Sequence, residues 1–240
     1  LWGTPTYFWS KHKRTNFDWW RKRFKRQFEL VDLLRLDHFR GLAGYWRVNG
    51  SSKTAICGKW INSPGKTLLN KLKIDLGTDY LPIIAEDLGV ITPDVEKLRR
   101  NFKLPGMKIL QFAFDGNEDN PYLPKNIEGE NWVVYTGTHD NSTSISWWEC
   151  LENNSKERIK DEYKFSENPS WSLIKIGMET NANLFIAPIQ DILSLDDSSR
   201  LNTPGTTTNN WKWKINLPLE EIEEDIRRFS ELGNNFGRTR

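Results

Sequence analysis

Four carboxylates occupy the same kind of place along this sequence. Asp37, Glu86, Asp115 and Asp140 each close a short apolar run, as in Val31-Asp32-Leu33-Leu34-Arg35-Leu36 before Asp37 and Tyr80-Leu81-Pro82-Ile83-Ile84-Ala85 before Glu86. A buried strand that ends in charge is costly, because an unpaired buried charge loses several kcal/mol or shifts its pKa. One such cluster is explained equally well by a salt-bridged strand end. The pattern repeats, however, and two of the three histidines, His38 and His139, lie beside Asp37 and Asp140. The alternatives lack their residues: there is no His/Cys set with zinc spacing, no GxSxG, and no glycine-rich phosphate loop between a strand and a helix. What remains is carboxylate chemistry. Cleavage of a glycosidic bond needs one ionised carboxylate as nucleophile and one protonated carboxyl as general acid, about 5 Å apart in a retaining enzyme.

The elements that would position these groups alternate along the chain. Residues 1–15 read as a loop. Asn16 reads as a helix N-cap, with Phe17, Trp20, Phe24 and Phe28 at helical spacing and Arg21 to Arg26 forming a basic, solvated outer face. A strand over 31–36 follows, then Gly41 as a turn and an aromatic, glycine-rich stretch over 42–62 with no assigned element. Further helices are expected from Lys66 to Leu76, from Pro93 behind an N-capping Thr92 to Phe102, and from Pro218 to Leu232. Strands are expected over 80–85, 107–114, 131–135 and 183–189. Strands alternating with helices predict parallel βαβ units, and polar groups at the ends of several strands are the pattern of a (β/α)8 barrel. Five units fall short of eight, and the chain starts without Met inside Leu1-Trp2-Gly3-Thr4-Pro5. About three units are therefore expected to be missing. No composition shift divides the chain, so residues 1–240 read as the C-terminal portion of one catalytic domain.

Composition sets the outer limits. With 240 residues the chain can bury a sizeable core, and a net charge of +2 with 28% charged residues points to neither nucleic acid nor an acidic surface. No apolar run is long enough to span a membrane. Cys57 and Cys150 form no disulfide framework, which favours a reducing compartment. Trp is over-represented, with 12 copies; its flat faces suit core packing and also sugar stacking.

Beyond these patterns, whole motifs resemble a known family. RLDHFRG (35–41), AEDLG (85–89), PGMKILQFAF (105–114), NPYLP (120–124) and YTGTHDN (135–141) are similar to the amylomaltases, or disproportionating enzymes, which are 4-α-glucanotransferases of the α-amylase clan. So are LWGTPTY at the start, GKW with the following PGK, and APIQDIL with LNTPGT. The order is kept along essentially the whole chain. The resemblance implies an α/β (β/α)8 TIM barrel, present as about five of its eight units. It implies transfer of an α-1,4-glucan segment to the 4-hydroxyl of an acceptor by a retaining double displacement. Asp37 would be the nucleophile, Glu86 the general acid/base, and Asp140 the group that holds sugar hydroxyls in the transition state. Arg35, on the same strand face as Asp37, would keep it ionised, and His139 would donate to sugar hydroxyls. Trp2, Asp115 and Asn202 match positions in or beside the glucan cleft; loop packing for Trp2 and turn chemistry beside Pro204-Gly205 for Asn202 compete with that, as strand-end support does for His38. Ser142 departs from the family pattern, which places an acidic residue after the Asn.

Transfer rather than hydrolysis rests on the resemblance alone. An α-glucan hydrolase, a non-catalytic glucan binder, and an inactive fragment that at most binds maltodextrin are the alternatives. An incomplete barrel exposes strand edges, so the chain by itself is expected to be unstable or aggregated. No cofactor and no metal is implied. The expected partners are maltodextrin and other α-1,4-glucans, with no nucleic acid and no membrane. The expected location is the cytoplasm, or a plastid stroma if a transit peptide preceded the chain.

Overall fold

Parallel strand pairing organises both parts of the chain. The computed structural model describes residue 1 and residues 3–238, and these divide into two units, Leu1–Met107 and Lys108–Arg240.

In the first unit the expected loop over 1–15 contains a helix, α1 (Trp9–Arg14), followed by α2 (Asp18–Phe28). Asn16 does not cap α2. Asn16 and Phe17 both take left-handed backbone, φ 51° and 58°, to turn one helix into the next, and Phe17 is buried at 2% exposure. Burial of that ring decides the junction over capping preference. β1 (Leu34–Leu36) is shorter than its apolar run, since Leu30 and Val31 stay exposed. After α3 (Arg40–Ala43), the unassigned aromatic stretch proves to be an antiparallel hairpin, β2 (Gly44–Val48) and β3 (Gly58–Asn62). Then come α4 (Gly65–Leu76), β4 (Ile83–Ala85) and α5 (Pro93–Asn101). Thr92 and Pro93 start α5 as expected, although the Thr92 hydroxyl donates to Asp94 rather than accepting from a backbone amide. β1 and β4 run parallel in the register Leu34–Ile83, Arg35–Ile84, Leu36–Ala85. They lie over a core that includes Phe24, Phe39, Leu68, Leu72, Ile83 and Leu104.

The second sheet has the order β5–β6–β7, with β5 (Gly106–Ile109) at the boundary of the units, β6 (Trp132–Tyr135) and β7 (Leu184–Ile186). The strand expected over 107–114 ends early, because Leu110–Phe112 turns into a 3-10 helix. Between β6 and β7 lie α6 (Ser144–Glu149), α7 (Asn153–Tyr163) and α8 (Pro169–Glu179). α8 is buried along most of its length and meets β7 at Gly177, where a Cβ would come within 2.1 Å of the Phe185 ring. The strand expected to reach Ile189 stops sooner. Ile189 already begins α9 (Ile189–Ile192), and α10 (Leu219–Asn235) packs Phe229 and Leu232 against Trp171, Ile174 and Ile192. None of the described helices is long and apolar enough to cross a membrane.

Candidate active site

The parallel register of β1 and β4 ends on Leu36–Ala85, so Asp37 and Glu86 are the next residues out on neighbouring strands. Pairing continues past them: the Glu86 amide donates to the Leu36 carbonyl at 3.1 Å, and the Phe39 amide donates to the Glu86 carbonyl at 3.1 Å. Neighbouring strands stand about 4.8 Å apart, which brings the two residues side by side. Arg35 Nη2 lies 3.0 Å from Asp37 Oδ1, while its Nε points to Met107 Sδ. The Asp37 side chain is 75% exposed. Glu86 is held by backbone amides: Oε2 accepts from the His38 amide at 2.7 Å and Oε1 from the Leu88 amide at 3.0 Å.

His38 is bent to make that bond. Its φ of 48° lies in the left-handed region, which costs a non-glycine residue about 1 kcal/mol. Gly41 sits inside α3 and is not the turn expected of it; a Cβ there would stand 3.2 Å from the His38 ring. Behind Glu86, Asp87 faces the buried Arg99 with an Oδ2–Nε distance of 3.0 Å and accepts from the Met107 amide at 2.8 Å. Both side chains are nearly sealed, at 7% and 5% exposure.

In the second unit, His139 and Asp140 stand on the loop between β6 and α6. Asn202 Nδ2 donates to Asp140 Oδ1 at 2.5 Å, and the Asn202 amide donates to the His139 carbonyl at 3.1 Å. His139 Nε2 is 3.4 Å from Asp140 Oδ1, and its ring lies 5.2 Å from that of Trp211. The structure thus brings His139, Asp140 and Asn202 together. Asp115 is elsewhere in its bonding: it accepts from the Asn117 amide at 2.9 Å and, among the described residues, none of its hydrogen bonds reaches those three. The bonds from the Asn117 backbone and the Asn120 side chain hold its carboxyl below the usual range. Trp2 lies outside the described residues. No group of three or more His, Cys, Asp or Glu residues suited to a metal occurs among the described residues.

Sequence reasoning missed the scaffold of the Asp140 loop. Arg200 donates from Nη2 to the Asp140 carbonyl at 2.7 Å, from Nη1 to the Ser142 hydroxyl at 3.1 Å, and from Nε to the Asn202 carbonyl at 2.9 Å. One planar guanidinium thereby fixes both chain segments of the cluster. Ser142, where the family pattern has an acidic residue, contributes a neutral acceptor, and Asp197 supplies the charge at 3.5 Å from Arg200. Asp197 also accepts from the Thr143 amide at 2.8 Å. Asp191, only 1% exposed, accepts from the Thr136 hydroxyl at 2.5 Å and the Ser144 amide at 2.7 Å, so both ends of the 136–144 loop hang on one carboxyl. Burial pushes that carboxyl up, against its hydrogen bonds, which pull it down. Asp191 had the signal that found the others, a carboxylate just past an apolar run; Arg200 had none.

Comparisons with known proteins bear on the chain as a whole. A family described as 4-alpha-glucanotransferase, glycoside hydrolase family 77, matches residues 1–219. A 4-alpha-glucanotransferase of Synechocystis is 47% identical over 216 residues, covering 89% of this chain and 43% of that protein. The chloroplastic/amyloplastic 4-alpha-glucanotransferase DPE1 of Arabidopsis thaliana is 43% identical over 242 residues, covering 99% and 42%. An amylomaltase from Streptococcus agalactiae, solved in complex with acarbose, matches with a TM-score of 0.92 at 34% identity, over 100% of this chain and 48% of its own. The chain spans less than half the length of these relatives. Its fold is α/β, part of a (β/α)8 barrel.

Proposed function

The chain belongs to the 4-alpha-glucanotransferase family, glycoside hydrolase family 77, and from that premise we propose that the protein moves α-1,4-glucan segments between maltodextrins by double displacement. Asp37 attacks the anomeric carbon of the donor. The glycosidic oxygen leaves with the proton of Glu86, and a covalent glucosyl–Asp37 ester remains. Glu86 then takes the proton from the 4-hydroxyl of an acceptor, whose oxygen displaces Asp37 and restores the original anomeric configuration. Asp140 holds hydroxyls of the reacting sugar and His139 donates to them, with Arg200 and Asn202 fixing their position. Asp115 and Trp2 keep a role as candidate glucan contacts. Residues 1–240 then form part of one catalytic domain.

The observation that supports this reading is the β1–β4 register, which ends on Leu36–Ala85 and so makes Asp37 and Glu86 the next residues out on neighbouring parallel strands, as a carboxylate pair acting on one bond requires. Each Glu86 oxygen accepts one backbone amide, which positions the carboxyl and leaves it the capacity, when protonated, to donate its O–H to the leaving oxygen. The compartment is read as the cytoplasm or, as the name of the Arabidopsis relative suggests, a plastid.

Maltotriose is the test. The protein is expected to convert it into glucose and oligomers longer than maltotriose, and Asp37→Asn is expected to lower the rate by about 1000-fold or more. Glucose and maltose without longer products would sink transfer in favour of hydrolysis.

A further inference from the structure

The β2–β3 hairpin carries two tryptophans that the mechanism above does not use. Trp46 and Trp60 are direct cross-strand partners, so both side chains leave the same face of the hairpin, 5.6 Å apart at 64°. They stay 40% and 55% exposed, which is unusual for so large an apolar ring. Neither is loose. The Trp46 indole lies flat on the opposite strand at Gly58, where a Cβ would come within 2.6 Å of the ring, and its Nε1 donates to the Ala55 carbonyl at 2.8 Å. Any side chain at Gly58 would lift the ring from its seat. Trp60 is held from the other side, with the Arg40 guanidinium 4.4 Å from its ring centre. Arg40 is itself pinned, donating to the Val90 carbonyl and the Thr92 hydroxyl, both at 3.0 Å. These acceptors belong to the segment that follows Glu86.

Rings immobilised before a ligand arrives lose little entropy on binding it. The hairpin also shares a groove with the proposed nucleophile: a cavity of about 1350 Å³ is lined by Asp37, His38 and Arg40 together with Trp46, Asn49 and Trp60. That exceeds what a single small molecule fills and suits an extended chain. Sugar rings present flat C–H faces that stack on indoles, and hydroxyls that meet a polar rim.

We propose that Trp46 and Trp60 form a stacking platform for an α-1,4-glucan chain, a binding site apart from the three carboxylates that anchors sugar units beyond the reacting one. It rests on the glucan-transfer reading, whose substrate it extends. Titration calorimetry with maltoheptaose tests it, in an Asp37→Asn parent so that the sugar is not consumed. Stacking on one aromatic ring is worth roughly 0.5–1.5 kcal/mol, about 2- to 10-fold in affinity. Trp60→Ala is expected to weaken binding by about 5-fold and the Trp46→Ala/Trp60→Ala pair by about 10-fold or more, while Trp60→Phe recovers most of the loss. Both residues are exposed, so the melting temperature, read in parallel, should stay near that of the parent. Equal maltoheptaose affinity in the parent and the double variant overturns the platform and leaves the transfer reading intact. No binding by the parent also overturns it, and the maltotriose assay on the unsubstituted protein then shows whether the transfer reading falls with it.

Discussion

Each unit holds a buried carboxylate near its candidate site residues, and the two buried ones are satisfied differently. In the first unit Asp87, beside Glu86, faces a cation, the sealed guanidinium of Arg99. In the second, Asp191 beneath the Asp140 loop accepts from neutral groups, a threonine hydroxyl and a backbone amide. The cation attracts Asp87 directly, although burial outweighs that attraction at Arg99 and holds its guanidinium below its ordinary value. Removing either partner therefore leaves the other buried and uncompensated. Neutral donors only partly offset desolvation, and Asp191 is pushed up as a result. A charge-paired brace is therefore stiff and costly to cut, whereas a neutral-donor brace is weaker and changes with pH. The candidate carboxylates Asp37 and Asp140 themselves stay open, with side chains 75% and 46% exposed.

The largest effect should come from cutting the paired brace. Asp87→Asn keeps an oxygen for the Met107 amide but removes the nearest counter-charge of Arg99, and breaking a buried pair from one side costs about 3–5 kcal/mol. Thermal unfolding should fall by about 10 °C. A drop below about 1 kcal/mol would mean that the Asp87–Arg99 pair is not what stiffens the first unit. Next comes the guanidinium that ties the Asp140 loop together. Arg200→Met keeps the stem and removes every donor, so Asp140 and Asn202 should drift apart with little unfolding. Misplacement of a catalytic group by about 1 Å costs about 100-fold, and the loss is expected in kcat of glucan transfer with KM little altered. Equal loss of melting temperature and activity would instead mark Arg200 as ordinary packing.

These contrasts also explain what was legible in the sequence. β1, β4 and β6, with carboxylates just beyond their ends, were readable because β4 and β6 are buried and β1 half-buried, which leaves short apolar runs in the sequence against which a following charge stands out. Asp37, Glu86 and Asp140 were singled out as candidates this way. The β2–β3 hairpin was not, since one of its faces is open and Trp46 and Trp60 break the expected alternation. The α1–α2 junction was misread because Asn16 is a good capping residue in isolation, and only the burial of Phe17 overrules it. Strand ends slipped for a related reason: Leu110 and Ile189 are apolar and buried or half-buried, yet they lie in helical turns, and apolar runs alone do not separate the two. Arg200 was invisible. Its role comes from where the chain returns 60 residues after Asp140, and no local pattern encodes that contact.

The smallest effect, and the one that separates the two braces most sharply, is the response of Asp191 to pH. Asp191→Asn has nearly the same shape. Its remaining oxygen can accept from one of the two donors, and its amide faces the other, so one hydrogen bond is lost at a buried site, about 1–2 kcal/mol. That loss should vary with pH in a set direction. Because burial raises the carboxyl above its unfolded value, the folded protein binds more protons than the unfolded one over the interval between the two. The contribution of Asp191 to stability is then complete below the ordinary carboxylate range, near pH ~4, and is lost as pH rises through the raised value. An asparagine titrates nowhere in this range. Urea unfolding of parent and Asp191→Asn should therefore differ most at acidic pH, and the gap should narrow as pH rises. A gap that widens with rising pH would mean that Asp191 is stabilised as the anion, and would erase the distinction from Asp87.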